Sequence, residues 1–258
     1  MSKPLILITN DDGITSRGIR LLVKVAKNFG DVVVVAPNSP QSAMGHAITI
    51  GNTLRLDPVD IFEGIEAYEC SGTPADCVKL AKHFVLKDKS PDLVLSGVNH
   101  GSNTSISVLY SGTISAAIEA ALEGLPSIGF SLCDYDHQAD LSHIEPYMNM
   151  IVKEALVKKI QKGLTLNVNF PPKKEEPIKG VKICHQAEAK WQEKFDERLD
   201  PMGRRYFWMS GEFINFDHSE GSDEWSIQNN YVSIVPCQYD MTAHHYLSEL
   251  NTNWDFKL

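Results

Sequence analysis

The chain has 258 residues, and its 24 Lys+Arg against 33 Asp+Glu give a formal charge of −9. That length suits one large α/β domain or a domain with a sizeable appendage, and 43% hydrophobic residues with 17 Gly and 13 Pro exclude disordered, collagenous and low-complexity chains. The acidic balance argues against a polymeric nucleic-acid surface or an anionic-membrane surface, which need a basic field, but leaves a single small phosphorylated substrate open, because a metal ion can reverse the sign inside one cleft.

From the N-terminus, the first apolar run, 5–9 (LILIT), reads as a strand. Its LILI core is too short for a signal peptide, and no later run approaches the ~18 apolar residues of a membrane span. A helix is expected from Ser16, with Ile19, Leu22, Val23 and Ala26 on one face and a stop at Gly30. A second strand follows at 31–36 (DVVVVA). Thr73 as N-cap and Pro74 in the first turn open a second helix carrying Val78, Ala81 and Val85. The run 92–96 (DLVLS) is a third strand candidate, and a third helix follows Ser111-Gly112-Thr113 and ends at Gly124. After the strand 127–132 (SIGFSL), the pair Ser142 and Glu145 reads as a capping box opening a fourth helix that runs to Gly163. Continuous rather than alternating apolar runs fit strands buried on both sides, so roughly the first half reads as a mostly parallel sheet covered by helices.

Beyond Gly163 the pattern changes. Residues 164–171 (LTLNVNFP) alternate like a strand, PPKKEEP is an exposed loop, and 206–216 (YFWMSGEFINF) reads as an aromatic hairpin turning at Ser-Gly. A two-stranded ribbon buries too little to stand alone, so this one is expected on the main body or on another subunit. About 1–170 would form the catalytic core and about 171–258 a C-terminal extension. The five cysteines, Cys70, Cys77, Cys133, Cys184 and Cys237, contain no Cys-x-x-Cys and point to inert thiols in a cytoplasmic protein.

Ligands of open α/β sheets bind beyond the carboxyl ends of the strands. Just there stand Asn10, Asp11, Asp12 and Gly13 after the first strand, then Asn38, Ser39, Gln41 and Ser42, then Asn99 and Asn103 in SGVNHGSN, and finally the SGT helix start. Two adjacent carboxylates repel unless a cation lies beside them. With Ser42 and Asn99 as neutral oxygen donors, the set favours Mg²⁺ or Mn²⁺ over thiolate- and imidazole-seeking metals. An Asp-Asp-Gly triplet alone is equally a surface turn, and SGT alone reads as an N-cap. Beside a metal, the same helix start offers amides and hydroxyls to a phosphate. His46 and His100 lie within these loops as candidate acid, base or phosphate donor. His244 and His245 read as a solvated pair in the tail. A dinucleotide-binding Gly-x-Gly-x-x-Gly is absent after the first strand, no Lys completes a Walker pattern, and the acceptor aspartate of a receiver module is replaced by Ser96-Gly97.

In order along the chain, ITNDDG, PNSPQSAMGHAIT, CSGTPADCV, PDLVLSGVNHGSN, YSGTISAAIEAAL and NNYVSIVP resemble the SurE family of nucleotidases. The resemblance implies a Rossmann-like core, a C-terminal extension that builds a homodimer or homotetramer, and hydrolysis of nucleoside 5′- and 3′-monophosphates, with short polyphosphate as a further substrate. It also implies one divalent cation per subunit, Mg²⁺ or Mn²⁺, on Asp11, Asp12, Ser42 and Asn99, and phosphate contacts from Asn103, Ser111, Gly112 and Thr113. Asp11 and Asp12 would carry catalysis, either by activating water or with Asp11 as a covalent nucleophile. The rival reading is a non-catalytic, metal-dependent nucleotide-binding or phospho-signalling module. One departure stands out: Ala43 occupies a position where many relatives have glycine, so a positive φ there would be uncomfortable.

Overall fold

Short β-branched runs separated by amphipathic segments assemble into a nine-stranded mixed sheet in the computed structural model, which describes residues 3–256. Its strands are β1 (Leu5–Thr9), β2 (Asp31–Pro37), β3 (Leu56–Pro58), β4 (Glu66–Cys70), β5 (Leu93–His100), β6 (Ser127–Leu132), β7 (Leu164–Phe170), β8 (Val181–Ile183) and β11 (Val232–Gln238). The spatial order is β3-β4-β2-β1-β5-β6-β7-β11-β8. The six strands from β4 to β7 run parallel, while β3 and β11 pair antiparallel to β4 and β7. The remaining strands, β9 (Ala189–Leu199) and β10 (Arg205–Asn215), form a separate hairpin.

Alternation along β1 decides the two cores. Ile6 and Ile8 face the side covered by α1 (Arg17–Ala26) and α4 (Glu145–Lys158), packing with Ile19, Leu22, Met148 and Ile151. Leu7 faces the other side, where α2 (Pro74–Leu80) and α3 (Gly112–Leu122) contribute Cys77, Val78, Ala116 and Ala120. The expected caps hold at Ser16, at Thr73 with a reciprocal bond to Asp76, and at Ser111. Two short helices, α5 (Asp223–Gln228) and α6 (Leu247–Asn253), follow the hairpin.

Two expectations are corrected. Ser142 does not cap the fourth helix: Ile144 is the N-cap without a side-chain bond, Pro146 sits in the first turn, and the helix ends at Lys158 rather than Gly163. The Ser142 amide instead donates to Asp140 Oδ1 at 2.7 Å, a local turn that competes with the capping box. Ser210-Gly211 is not a turn: 206–216 falls almost wholly within β10, which pairs along its length with Ala189–Leu199, and the chain reverses around Asp200 and Gly203. Within residues 171–258, β8 and β11 complete one edge of the main sheet.

The chain leaves β1 for β2 on one side and returns through β5 on the other, so a crevice opens between the carboxyl ends of β1 and β5. Helix α1 lies close over it. A Cβ built on Gly18 would stand 2.0 Å from the Val98 carbonyl oxygen. Gly18→Ala is therefore expected to lower stability in urea unfolding by roughly 1–3 kcal/mol or more, whereas Gly51→Ala, with nothing within 4 Å, should be near neutral. Equal stabilities would contradict this close approach.

Candidate active site at the carboxyl ends of the central strands

The Asp-Asp-Gly triplet proves to be both a turn and a site. Buried Asn10 closes the turn by donating from Nδ2 to Gly13 O and Ser16 Oγ, each at 2.9 Å. Gly13 takes φ +92, a conformation that L side chains rarely adopt. Ile14 then bonds Pro37 O at 2.9 Å, which ties the turn to β2.

Asp11 is 4% exposed. The Thr113 hydroxyl donates to its Oδ1, and Gly112 stands so close that an added Cβ would lie 2.7 Å from Asp11 Cβ. Burial pushes the Asp11 carboxyl from 3.8 up to about 6, helped by the charge of Asp12 and opposed by the Thr113 hydrogen bond. Burial also raises Asp12, against the pull of the His100 amide and the nearby His100 and His137 rings.

The loop after β2 is fastened at successive points. Gln41 N donates to Asp11 O at 2.8 Å, and Gly45 N to Tyr110 O at 3.1 Å. His46 Nε2 lies 2.9 Å from Glu119 Oε2, and the Thr73 hydroxyl donates to Ala47 O at 2.8 Å. Thr49 bonds Asp76 through its amide at 3.1 Å and its hydroxyl at 2.7 Å. His46 thus latches the loop to α3, where Lys79 also reaches buried Glu119 at 2.6 Å. Within this ladder Ser42 is exposed, one residue from the Gln41 tether. Ala43 adopts φ +59, the left-handed conformation that costs a non-glycine residue roughly 1 kcal/mol or more.

From the β5 side, a register shift against β6 between Ser96 and Asn99 re-aims the strand end. Asn99 Nδ2 donates to Gly101 O at 2.9 Å, which leaves its Oδ1 as an acceptor. His100 is buried with both ring nitrogens unpartnered. Its ring stands 5.5 Å from that of His137, and burial moves its pKa downward. Asn103 belongs to a buried amide network: its amide donates to Asn169 Oδ1 at 2.9 Å, its Nδ2 to Ser131 Oγ at 2.7 Å, and its carbonyl accepts from Asn167 at 2.8 Å. Ser111 Oγ accepts from Ile114 N at 3.1 Å and keeps its own proton to donate.

The donors at this edge suit a hard cation. Asp11, Asp12, Ser42 and Asn99 offer oxygens only, and no group of three His, Cys, Asp or Glu that could hold a metal occurs among the described residues. A cation on the carboxylate pair would complete its shell with neutral oxygens, a coordination that Mg²⁺ and Mn²⁺ accept. Sequence reading missed the tie from Thr113 to Asp11, the nearness of His137, and the amides Asn167 and Asn169. The last pair did carry a signal, since Thr165, Asn167 and Asn169 put polar residues along one face of the strand.

A family model described as Survival protein SurE matches residues 6–193. The chain is 68% identical over 256 residues to a protein of Cytophaga hutchinsonii named 5′-nucleotidase SurE, covering 99% of both. It is 59% identical over 256 residues to one of the same name from Flavobacterium psychrophilum, again covering 99% of both. The crystal structure of the SurE protein from Aquifex aeolicus superimposes with a TM-score of 0.84 at 36% identity, covering 98% of this chain and 100% of that one.

In the metal-free protein, a carboxyl raised from 3.8 to about 6 favours the protonated fold. Its contribution to stability is complete below about pH 4 and is lost as pH rises through about 6, a loss of about 3 kcal/mol. Asp11→Asn keeps the shape and ends the titration. Unfolded by urea in chelator, it is expected to exceed the parent in stability at pH 8 by up to about 3 kcal/mol, with the difference closing below about pH 4. A difference independent of pH would remove Asp11 as its source.

Proposed function

The chain belongs to the SurE family, and from that membership we propose that it is a metal-dependent phosphomonoesterase, a 5′-nucleotidase that hydrolyses nucleoside 5′-monophosphates to nucleoside and phosphate. The observation that carries this reading is the hydrogen bond from Thr113 to Asp11, because it joins the start of α3, where an anion is favoured, to the carboxylates that would hold a cation. The named relatives support the nucleotidase reading over a non-catalytic binding module. Activity toward 3′-monophosphates and short polyphosphate belongs to the same proposal.

Asp11 and Asp12, with Ser42 and Asn99, would hold one Mg²⁺ or Mn²⁺ per subunit. When bound, such an ion neutralises phosphoryl charge and acidifies water. The chain's own residues do the rest. Ser111 and Asn103 donate to phosphate oxygens, the amides of Gly112 and Thr113 face them at the helix start, and the dipole of α3 favours the charge that builds there. A carboxylate of the pair takes the proton from water attacking phosphorus in line with the departing nucleoside oxygen. Asp11, buried and fixed by Thr113, suits positioning better than covalent attack. Among the described residues no helix is long and apolar enough to cross a membrane, and the reading includes a cytoplasmic enzyme whose partner is its small substrate rather than polymeric nucleic acid.

The hairpin supports assembly into a homodimer or homotetramer, since Phe195, Phe207, Trp208 and Met209 are all more than half exposed. Light scattering at micromolar concentration is expected to give at least a dimer, and a monomer would oppose this assignment. Phosphate release from AMP and GMP should require Mn²⁺ or Mg²⁺ and stop with chelator. Asp11→Asn and Asp12→Asn should each lower kcat/KM at least about a hundredfold. Absence of metal-stimulated release from any nucleotide would defeat the enzyme reading, while activity untouched by both substitutions would defeat only the site.

A further inference from the structure

A cavity of about 610 Å³ lies where the hairpin face meets the loop after β2 and the turn before α3, and its lining includes Ala43, Tyr110, Lys190, Trp191, Glu193 and Gly211. Its position follows from chain adjacency. Ala43 directly follows Ser42 and Tyr110 directly precedes Ser111, and the Gly45–Tyr110 hydrogen bond of 3.1 Å holds those two segments side by side. A phosphomonoester seated at the carboxylate pair therefore has this cavity beside it for the part of the molecule that does not react.

The hairpin shapes the wall. Trp191 pairs with Phe213, Glu193 with Gly211 and Phe195 with Met209, which sets Trp191, Glu193, Met209, Gly211 and Phe213 on one face of the ribbon. Gly211 lets the partner backbone approach closely, since a Cβ there would stand 2.8 Å from the Gln192 carbonyl oxygen, and it adds no side chain to the wall between Met209 and Phe213. Trp191 keeps its ring plane through an edge contact with Phe213 at 5.4 Å and 64°, yet remains 38% exposed, and Tyr110 is 56% exposed. Two unsatisfied aromatic surfaces thus border a largely apolar hollow of small-ligand size, with Lys190 and Glu193 supplying a few polar groups at its wall.

We infer that this cavity receives the base of the nucleotide substrate, with Trp191 and Tyr110 as its stacking surfaces. The inference rests on the nucleotidase reading and names the specificity-determining residues for it. Flat, weakly hydrated heterocycles are the ligands that such rings hold best, largely irrespective of base identity. The site accordingly separates nucleotides from sugar phosphates more strongly than one base from another.

The test compares AMP with ribose 5-phosphate, which lacks a base, as substrates of the full-length, metal-loaded protein. Trp191→Ala is expected to reduce the preference for AMP, as a ratio of kcat/KM values, about tenfold, and Trp191→Phe to restore most of it. Calorimetric titration with adenosine gives a second readout that needs no catalysis, and Trp191→Ala should weaken that binding by a similar factor. An unchanged preference, or an equal loss on both substrates, would overturn the assignment. Adenosine bound equally by parent and Trp191→Ala would overturn it as well. Should the parent hydrolyse neither substrate, the nucleotidase reading fails, and the adenosine titration still decides the cavity.

Discussion

One hydrogen bond organises the active edge of this molecule. Thr113, in the first turn of α3, donates its hydroxyl to a carboxylate at the end of β1. The sheet brings β1 and β5 together, and this bond, with the close approach of Gly112, joins the helix start to them. Through it, Asp11, the α3 amides and the loop after β2, tied to the Asp11 carbonyl by Gln41, form one connected unit. Gly112 permits the approach, since any side chain there would meet Asp11.

Two adjacent acids at the end of a buried strand work against folding, and the protein compensates only in part. Main-chain amides and the Thr113 hydroxyl hold Asp11 down, yet burial dominates and its pKa still rises. A fold selected for stability alone would place an apolar residue there. The pair is helped only by the neighbouring His100 and His137 rings, and the Asn99 side-chain oxygen beside it is uncommitted, a combination that suits a cation supplied from outside the chain.

Much of this was legible in the sequence, for physical reasons that differ by element. The runs at 5–9 and 127–132 match β1 and β6 to the residue, because strands buried on both faces are largely apolar and sharply bounded. Chain order also placed Asp11, Asp12 and Asn99 at neighbouring strand ends. The hairpin was misread because its partner strand, AKWQEKFDERL, is mostly charged, as suits a ribbon exposed on both faces, while Ser-Gly offered a false turn. The short edge strand β3 and its neighbour β4 left no periodic trace. His46 looked like site chemistry but is committed to Glu119, a pairing across 73 positions that no local pattern reveals.

Helix α3 has only 11 residues, yet it meets the site from both ends. Its first turn holds Asp11 through Thr113, and further along it Glu119 holds His46 and so the loop that carries Ser42. A helix this short moves as a rigid body. Displacing it at either end shifts the carboxylate and the loop together, so effects of substitutions at Thr113 and Glu119 should not sum. The energetic unit at this edge is the helix with its two attachments, and a double-mutant cycle across its length would report a thermodynamic coupling between residues that never touch.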